Sequence, residues 1–387
     1  MKRRLWVVTL ALVFVAVFFT GSSVFAEKFK LPPFIAISAY SVGSSAYMTM
    51  SLAAEGITEH TGQKFRLLPQ GTGVARVAAL RSGAAHFMST GTEGIFCSAG
   101  KEEFADIAWG PQDLRIVWAP AITGIPIMVR GDSGIKKIAD LKGKKLPLAI
   151  GSAGMNIQVE ANLAFGGLTW DDVKIVKVPG YSAACEGVLS GLVDGYAVAP
   201  TSVWTTRLEA SPHGIAYIPL PFDDEEGWKR AKAVFPFWSK NEATAGGGLS
   251  KEKPLQTATY PNPLLSTYAS QDPDLVYWMV KNLVEAYPVF SKKAEIMKTN
   301  WTLEWNLKLI QNCAIPTHRG AIRYFKEIGK WTPELEAHNQ EVLKNKAALI
   351  ELWKEALSQQ AAKKVKDPDF PAFWQKMRAA AGPKYAW

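Results

Sequence analysis

Six short turns carry most of the polar chemistry in this chain. Ser41 to Ser45, Gly71-Thr72-Gly73, Ser89-Thr90-Gly91, Gly151-Ser152-Ala153-Gly154, Pro179-Gly180-Tyr181-Ser182 and Pro200-Thr201-Ser202 each join a short apolar run to a helical stretch. Glycine lets a bound group approach the backbone, and Ser or Thr adds hydroxyl donors. At a helix N-terminus four N–H groups lack intrahelical partners, and the positive end of the dipole faces outward. Such a turn suits a carboxylate or another small anion without a buried lysine or arginine. Any α/β protein also needs these residue types for turn geometry and capping, so one turn taken singly says little. The weight lies in six of them, arranged as two sets of three.

Other chemistries fail on spacing. Gly71-Thr72-Gly73 lacks the third glycine of a dinucleotide fingerprint, and Gly143-Lys144-Lys145 is not a Walker loop. The five histidines, His60, His86, His213, His318 and His338, are scattered singly, and no HExxH occurs. Cys97, Cys185 and Cys313 are odd in number and share no CxxC spacing, so at most one disulfide and no zinc or redox motif is expected. Cys97 lies in a Gly/Ser-rich stretch where a nucleophile could sit, but a small apolar filler suits it better, since no partner histidine is indicated. Asp223-Asp224-Glu225-Glu226 lacks the alternation and glycine of a calcium loop and reads as a solvated loop. Neither metal nor cofactor is expected.

The elements that position the turns repeat one unit. Phe34 to Ala39 reads as a strand and Tyr47 to His60 as a helix, with Met48, Leu52 and Ala53, Ile57 four apart on its face. Strands at Phe65 to Leu68 and Ala85 to Met88 complete the first set. Leu146 to Ile150, Ile175 to Val178 and Tyr196 to Ala199 form the second. Alternating strand and helix predicts an α/β architecture with parallel strands in two similar lobes. The chain crosses between lobes at Ala121-Ile122-Thr123-Gly124 and at Tyr260-Pro261-Asn262-Pro263, where proline favours an extended path. The reading is a first lobe over 27–120, a second over 121–258, a return over 259–335 and a helical extension over 336–387, its last twenty residues loosely held.

Composition and the N-terminus set the compartment. Of 387 residues 48% are hydrophobic and 20% charged, an ordinary globular balance with ample core. The net charge is +9, or +6 once Lys2, Arg3 and Arg4 are set aside, and no basic block concentrates it, so nucleic acid is not an expected partner. Those three residues precede an apolar run from Leu5 to Phe19 and the small residues before Ala26. The pattern reads as a signal peptide over 1–26, cleaved after Ala26, and predicts a periplasmic protein.

Taken together, these segments resemble the TAXI family of solute-binding proteins, receptors of one class of TRAP (tripartite ATP-independent periplasmic) transporters. The resemblance spans roughly Ile35 to Gly329. It rests on Ser41-Val42-Gly43-Ser44-Ser45-Ala46-Tyr47, on Gly71-Thr72-Gly73 followed by Ala79-Leu80-Arg81-Ser82-Gly83, and on Ile138 to Lys144 and Gly191 to Gly195. The most telling match is His318-Arg319-Gly320-Ala321-Ile322-Arg323-Tyr324, similar to that family's late His-x-Gly-Ala-x-x-Tyr pattern. The protein is expected to be a monomer, and the resemblance implies a type II periplasmic-binding fold with hinge-connected lobes that pass a small carboxylate to a TRAP permease. By position it implies ligand contacts from Ser44, Ser45, Tyr47, Thr72, Gly73 and Ser89, from Ser152, Gly154, Tyr181, Ser182 and Thr201, and more weakly from Tyr260. The chain departs from the pattern at Ser44-Ser45, in Gly151-Ser152-Ala153-Gly154-Met155, and at Arg76, where asparagine is common; Arg76 could meet a ligand acid or face the surface. A periplasmic sensor subunit, or a thiol enzyme on the same fold, are the other functions considered.

Overall fold

The computed structural model describes residues 29–382; the signal peptide expected over 1–26 and its expected cleavage site lie outside the described residues. The strands are β1 (Ile35–Ala39), β2 (Phe65–Pro69), β3 (Phe87–Thr90), β4 (Leu114–Trp118), β5 (Ile127–Arg130), β6 (Lys145–Ala149), β7 (Lys174–Val178), β8 (Gly195–Ala197), β9 (Ile215–Tyr217), β10 (Ser239–Ala243), β11 (Leu255–Thr259) and β12 (Leu264–Tyr268). The helices are α1 (Ser45–Thr61), α2 (Gly73–Arg81), α3 (Thr92–Ala99), α4 (Ala153–Phe165), α5 (Tyr181–Ser190), α6 (Val203–Glu209), α7 (Glu225–Val234), α8 (Pro273–Glu285), α9 (Tyr287–Phe290), α10 (Glu295–Asn300), α11 (Leu303–Ile310), α12 (Arg319–Glu327), α13 (Pro333–Lys363) and α14 (Phe370–Ala381).

Two lobes result. In the first, a five-stranded sheet runs β2-β1-β3-β12-β4. β1 is parallel to β2 and β3, as expected, but β12 lies antiparallel between β3 and β4. All-parallel pairing fails here because the chain re-enters from the other lobe and meets the sheet from its opposite end. The second lobe is built from the β8-β5-β9 sheet, which is antiparallel, the parallel β6-β7 pair and the antiparallel β10-β11 hairpin.

Capping fixes where the helices begin. Ser44, Thr72, Ser202 and Asp272 each accept a backbone N–H at the start of α1, α2, α6 and α8, and Pro273 takes the first helical position of α8. Only the first half of the acidic run is loop: Asp223 and Asp224 precede α7, Asp224 caps it, and its first turn carries Glu225 and Glu226 against the positive dipole end. In α1 the buried face is Ala46, Thr49, Met50, Ala53 and Ile57, while Met48 and Leu52 are half-buried on its flank.

The C-terminal extension is also tighter than expected. Phe370 and Trp374 of α14 are fully buried with Trp353 of α13 against Ala99 and Ala105. The Trp374 indole N–H donates to the Gly100 carbonyl at 2.7 Å. An aromatic every four residues gives this short helix an apolar stripe to bury. Among the described residues no helix is long and apolar enough to cross a membrane.

Candidate functional site

The lobes meet across a small cavity of 30 Å³, with room for about two water molecules. From the first lobe it is lined by Tyr40, Ser45 and Ala46, and from the second by Met155, Tyr181 and Ala199. Ile122, Ile125, Tyr260 and Asn262 of the two crossings complete it. The three phenols stay protonated, because burial pushes each of them up, and Tyr40 is raised further by the carboxylate of Glu93.

Hydrogen bonds bridge the lobes around this cavity. The hydroxyls of Ser45 and Thr201 lie 2.6 Å apart. Ser202 Oγ and the Val203 N–H both donate to the Gly43 carbonyl at 3.0 Å, and Ser202 Oγ also lies 3.1 Å from the Tyr181 hydroxyl. Gln158 Nε2 donates to Thr92 Oγ1 at 2.9 Å. One set of turns therefore faces the other, and their polar groups pair directly.

Behind Tyr40 sits a buried ion pair that sequence reading left open. Arg76 is 2% exposed and its Nη2 lies 2.8 Å from Oε1 of Glu93, which is also 2% exposed. The guanidinium stacks 3.7 Å over the Tyr40 ring, and the Tyr40 hydroxyl donates to Glu93 Oε2. Glu93 Oε1 and Arg76 Nε have no hydrogen-bond partner. Arg76 thus faces neither solvent nor an open binding surface.

The twelve residues expected at the site divide. Ser45, Tyr181 and Tyr260 line the cavity, and Thr201 joins it through Ser45. Gly73 and Gly154, from opposite lobes, both pack on Glu93: a Cβ at either would come within 2.3 Å and 2.6 Å of its side chain. Thr72 caps α2 and lies beside Gly151 across the cleft, and Ser152 is buried at the start of α4. Ser44 is consumed as the α1 cap, Tyr47 and Ser182 are half-buried off the cavity, and Ser89 is buried inside β3. One backbone site expected for an anion is filled by the chain itself, since the Ala153 N–H donates to Glu103 at 2.7 Å.

Sequence reasoning missed Tyr40, Met155, Asn262 and Glu93. Tyr40 directly follows the first strand, and Asn262 lies in the second crossing, so both had a positional signal. Asn262 Nδ2 donates to Tyr260, leaving Oδ1 buried without a donor.

The late His-x-Gly-Ala-x-x-Tyr segment has a structural role. His318 Nδ1 accepts the Gly320 N–H and caps α12; a Cβ on Gly320 would lie 2.3 Å from the Pro273 carbonyl, so only glycine lets α12 sit on α8. Cys97, Cys185 and Cys313 are all free and buried. Burial pushes the Cys97 thiol far up, the reverse of what a nucleophile needs.

A family model described as the NMT1-like family matches residues 37–329. The chain belongs to the NMT1-like family. Among solved structures it is similar to the alkanesulfonate-binding protein SsuA from Xanthomonas axonopodis pv. citri bound to MOPS, at 16% identity and a TM-score of 0.44, over 84% of this chain and 94% of that one. It is also similar to the periplasmic aliphatic sulphonate binding protein SsuA from Escherichia coli, at 17% identity and a TM-score of 0.41, over 84% and 88%. R. palustris Rpa4515 with adipate matches at 14% identity and a TM-score of 0.47, over 82% and 96%. The described residues of this NMT1-like family member form a two-lobed α/β fold.

Proposed function

We propose that this protein is an extracytoplasmic receptor of the TAXI kind, which captures a small organic acid or acidic amino acid between its lobes and delivers it to a TRAP-type membrane permease. The observation that carries the reading is the cavity itself. Polar groups from both lobes and from the second crossing converge on one small cavity, and none of them is arranged as a nucleophile with its base. A space of 30 Å³ is far below the roughly 300 Å³ or more of a ligand pocket, so the lobes part to admit a solute. On closing, hydroxyls that now bond each other turn to the solute instead, in a site from which water is excluded.

The test is a thermal-shift panel of dicarboxylates, keto acids and acidic amino acids. At a hundredfold excess over Kd, a binder adds about 2.7 kcal/mol to stability. The reading expects a saturable rise with at least one member and its loss in Asn262→Leu. No shift across the panel would contradict it.

A further inference from the structure

We propose that Glu103 is an interlobe latch that sets how readily this receptor closes, and that the C-terminal helices α13 and α14 hold it in place. The inference rests on the reading above, in which the lobes part to admit solute.

Glu103 belongs to the first lobe, in the 3-10 turn Glu102–Ala105, while Ala153 begins α4 in the second. Its Oε1 accepts the Ala153 N–H at 2.7 Å. That N–H is one of the unpartnered donors at the positive end of a thirteen-residue helix, and the Ser152 side chain makes no capping bond there. A carboxylate brought across the cleft completes the helix only when the lobes are shut.

The turn that carries Glu103 is held from behind. Ala105 packs in one cluster with Trp353, Phe370 and Trp374. Trp374 holds the Gly100 carbonyl just before the turn, and Glu102 sits at φ 50°, a conformation that a non-glycine residue keeps only where its surroundings impose it. The extension touches the 3-10 turn rather than the cleft, yet it fixes the height at which Glu103 reaches α4. Because apparent affinity scales with the competent fraction, the latch also tunes solute binding.

The experiment places spin labels on exposed Lys64→Cys and Lys177→Cys, one in each lobe, and reads the distance distribution of the full chain without added solute. A charge-assisted hydrogen bond predicts that Glu103→Ala lowers the ratio of short to long distances about tenfold or more. Glu103→Gln, which retains an acceptor, should fall between, and Trp374→Ala should shift the same way without touching the second lobe. Gly154→Ala, which drives a methyl against Glu93, is the independent wedge. If Gly154→Ala lengthens the distance and neither Glu103 variant does, the latch is overturned and the two-lobe reading stands. If no variant changes the distance, lobe opening itself is contradicted and the latch falls with it.

Discussion

Arg76 and Glu93 form an ion pair 2.8 Å apart with both side chains almost wholly shielded from solvent, directly behind the tyrosine that lines the interlobe cavity. A buried pair of this kind is weak evidence for net stability, but removing one partner leaves an uncompensated charge. Arg76→Met should therefore lower unfolding free energy by about 3–5 kcal/mol in urea melts, and Arg76→Met combined with Glu93→Leu should restore most of it. A double variant that loses as much as Arg76→Met and Glu93→Leu added together would show that the two residues act independently.

Gly154 and Gly73 offer a matched pair of substitutions. A Cβ on Gly154 would lie 2.9 Å from the Glu93 backbone nitrogen, across the cleft, whereas one on Gly73 would collide with the Glu93 side chain within the same lobe. Gly154→Ala should weaken solute binding by tenfold or more with a small change in melting temperature. Gly73→Ala should mainly lower the melting temperature, by overpacking worth about 1–3 kcal/mol. Calorimetric binding and thermal melts on both variants separate the two effects.

Much of this architecture was legible in the sequence, for a physical reason: hydrophobic runs of strand length followed by Gly/Ser/Thr turns leave few alternatives. Six of six expected strand–turn–helix units form, and Val203–Glu209 has the predicted bounds. The antiparallel β12 was not legible, because Leu264 to Tyr268 reads the same in either direction and only the crossing decides. Nor was the Arg76–Glu93 pair, since long-range pairing of charges leaves no periodic trace. Ser89 and Ser44 looked like ligand contacts because a strand-end hydroxyl and a cap use the same residue as a binding turn.

The extension makes a stability prediction of its own. Trp374 is fully buried and keeps its indole hydrogen bond to Gly100. Trp374→Ala should cost about 3–5 kcal/mol, read as a lower urea midpoint with the far-UV spectrum retained. A change under 1 kcal/mol would mean that α14 contributes little to the fold.

Lys346 links the extension to the first lobe and gives a pH signature. Its amine donates to the carbonyls of Ser98 and Gln112, and burial pulls its pKa down to about 7. An unfolded lysine titrates near ~10.4. Between these values the unfolded chain binds the proton and the folded one does not, so this residue's contribution to stability rises as pH increases from 7 toward 10 and levels off below 7. The stability of the wild type minus that of Lys346→Met should grow between pH 7 and pH 9.5 in urea titrations. A constant difference would show that the amine stays charged in the folded protein.

Where the solute sits decides whether the interlobe cavity is the binding site. A crystal structure of the protein with whichever panel acid gives the largest thermal shift tests this most directly. The account predicts solute density between the lobes, within hydrogen-bonding distance of Asn262 and of Ser45 or Thr201, with Tyr40 and Tyr181 on opposite sides. Density for the acid anywhere else, with the Ser45–Thr201 contact unbroken, would contradict it.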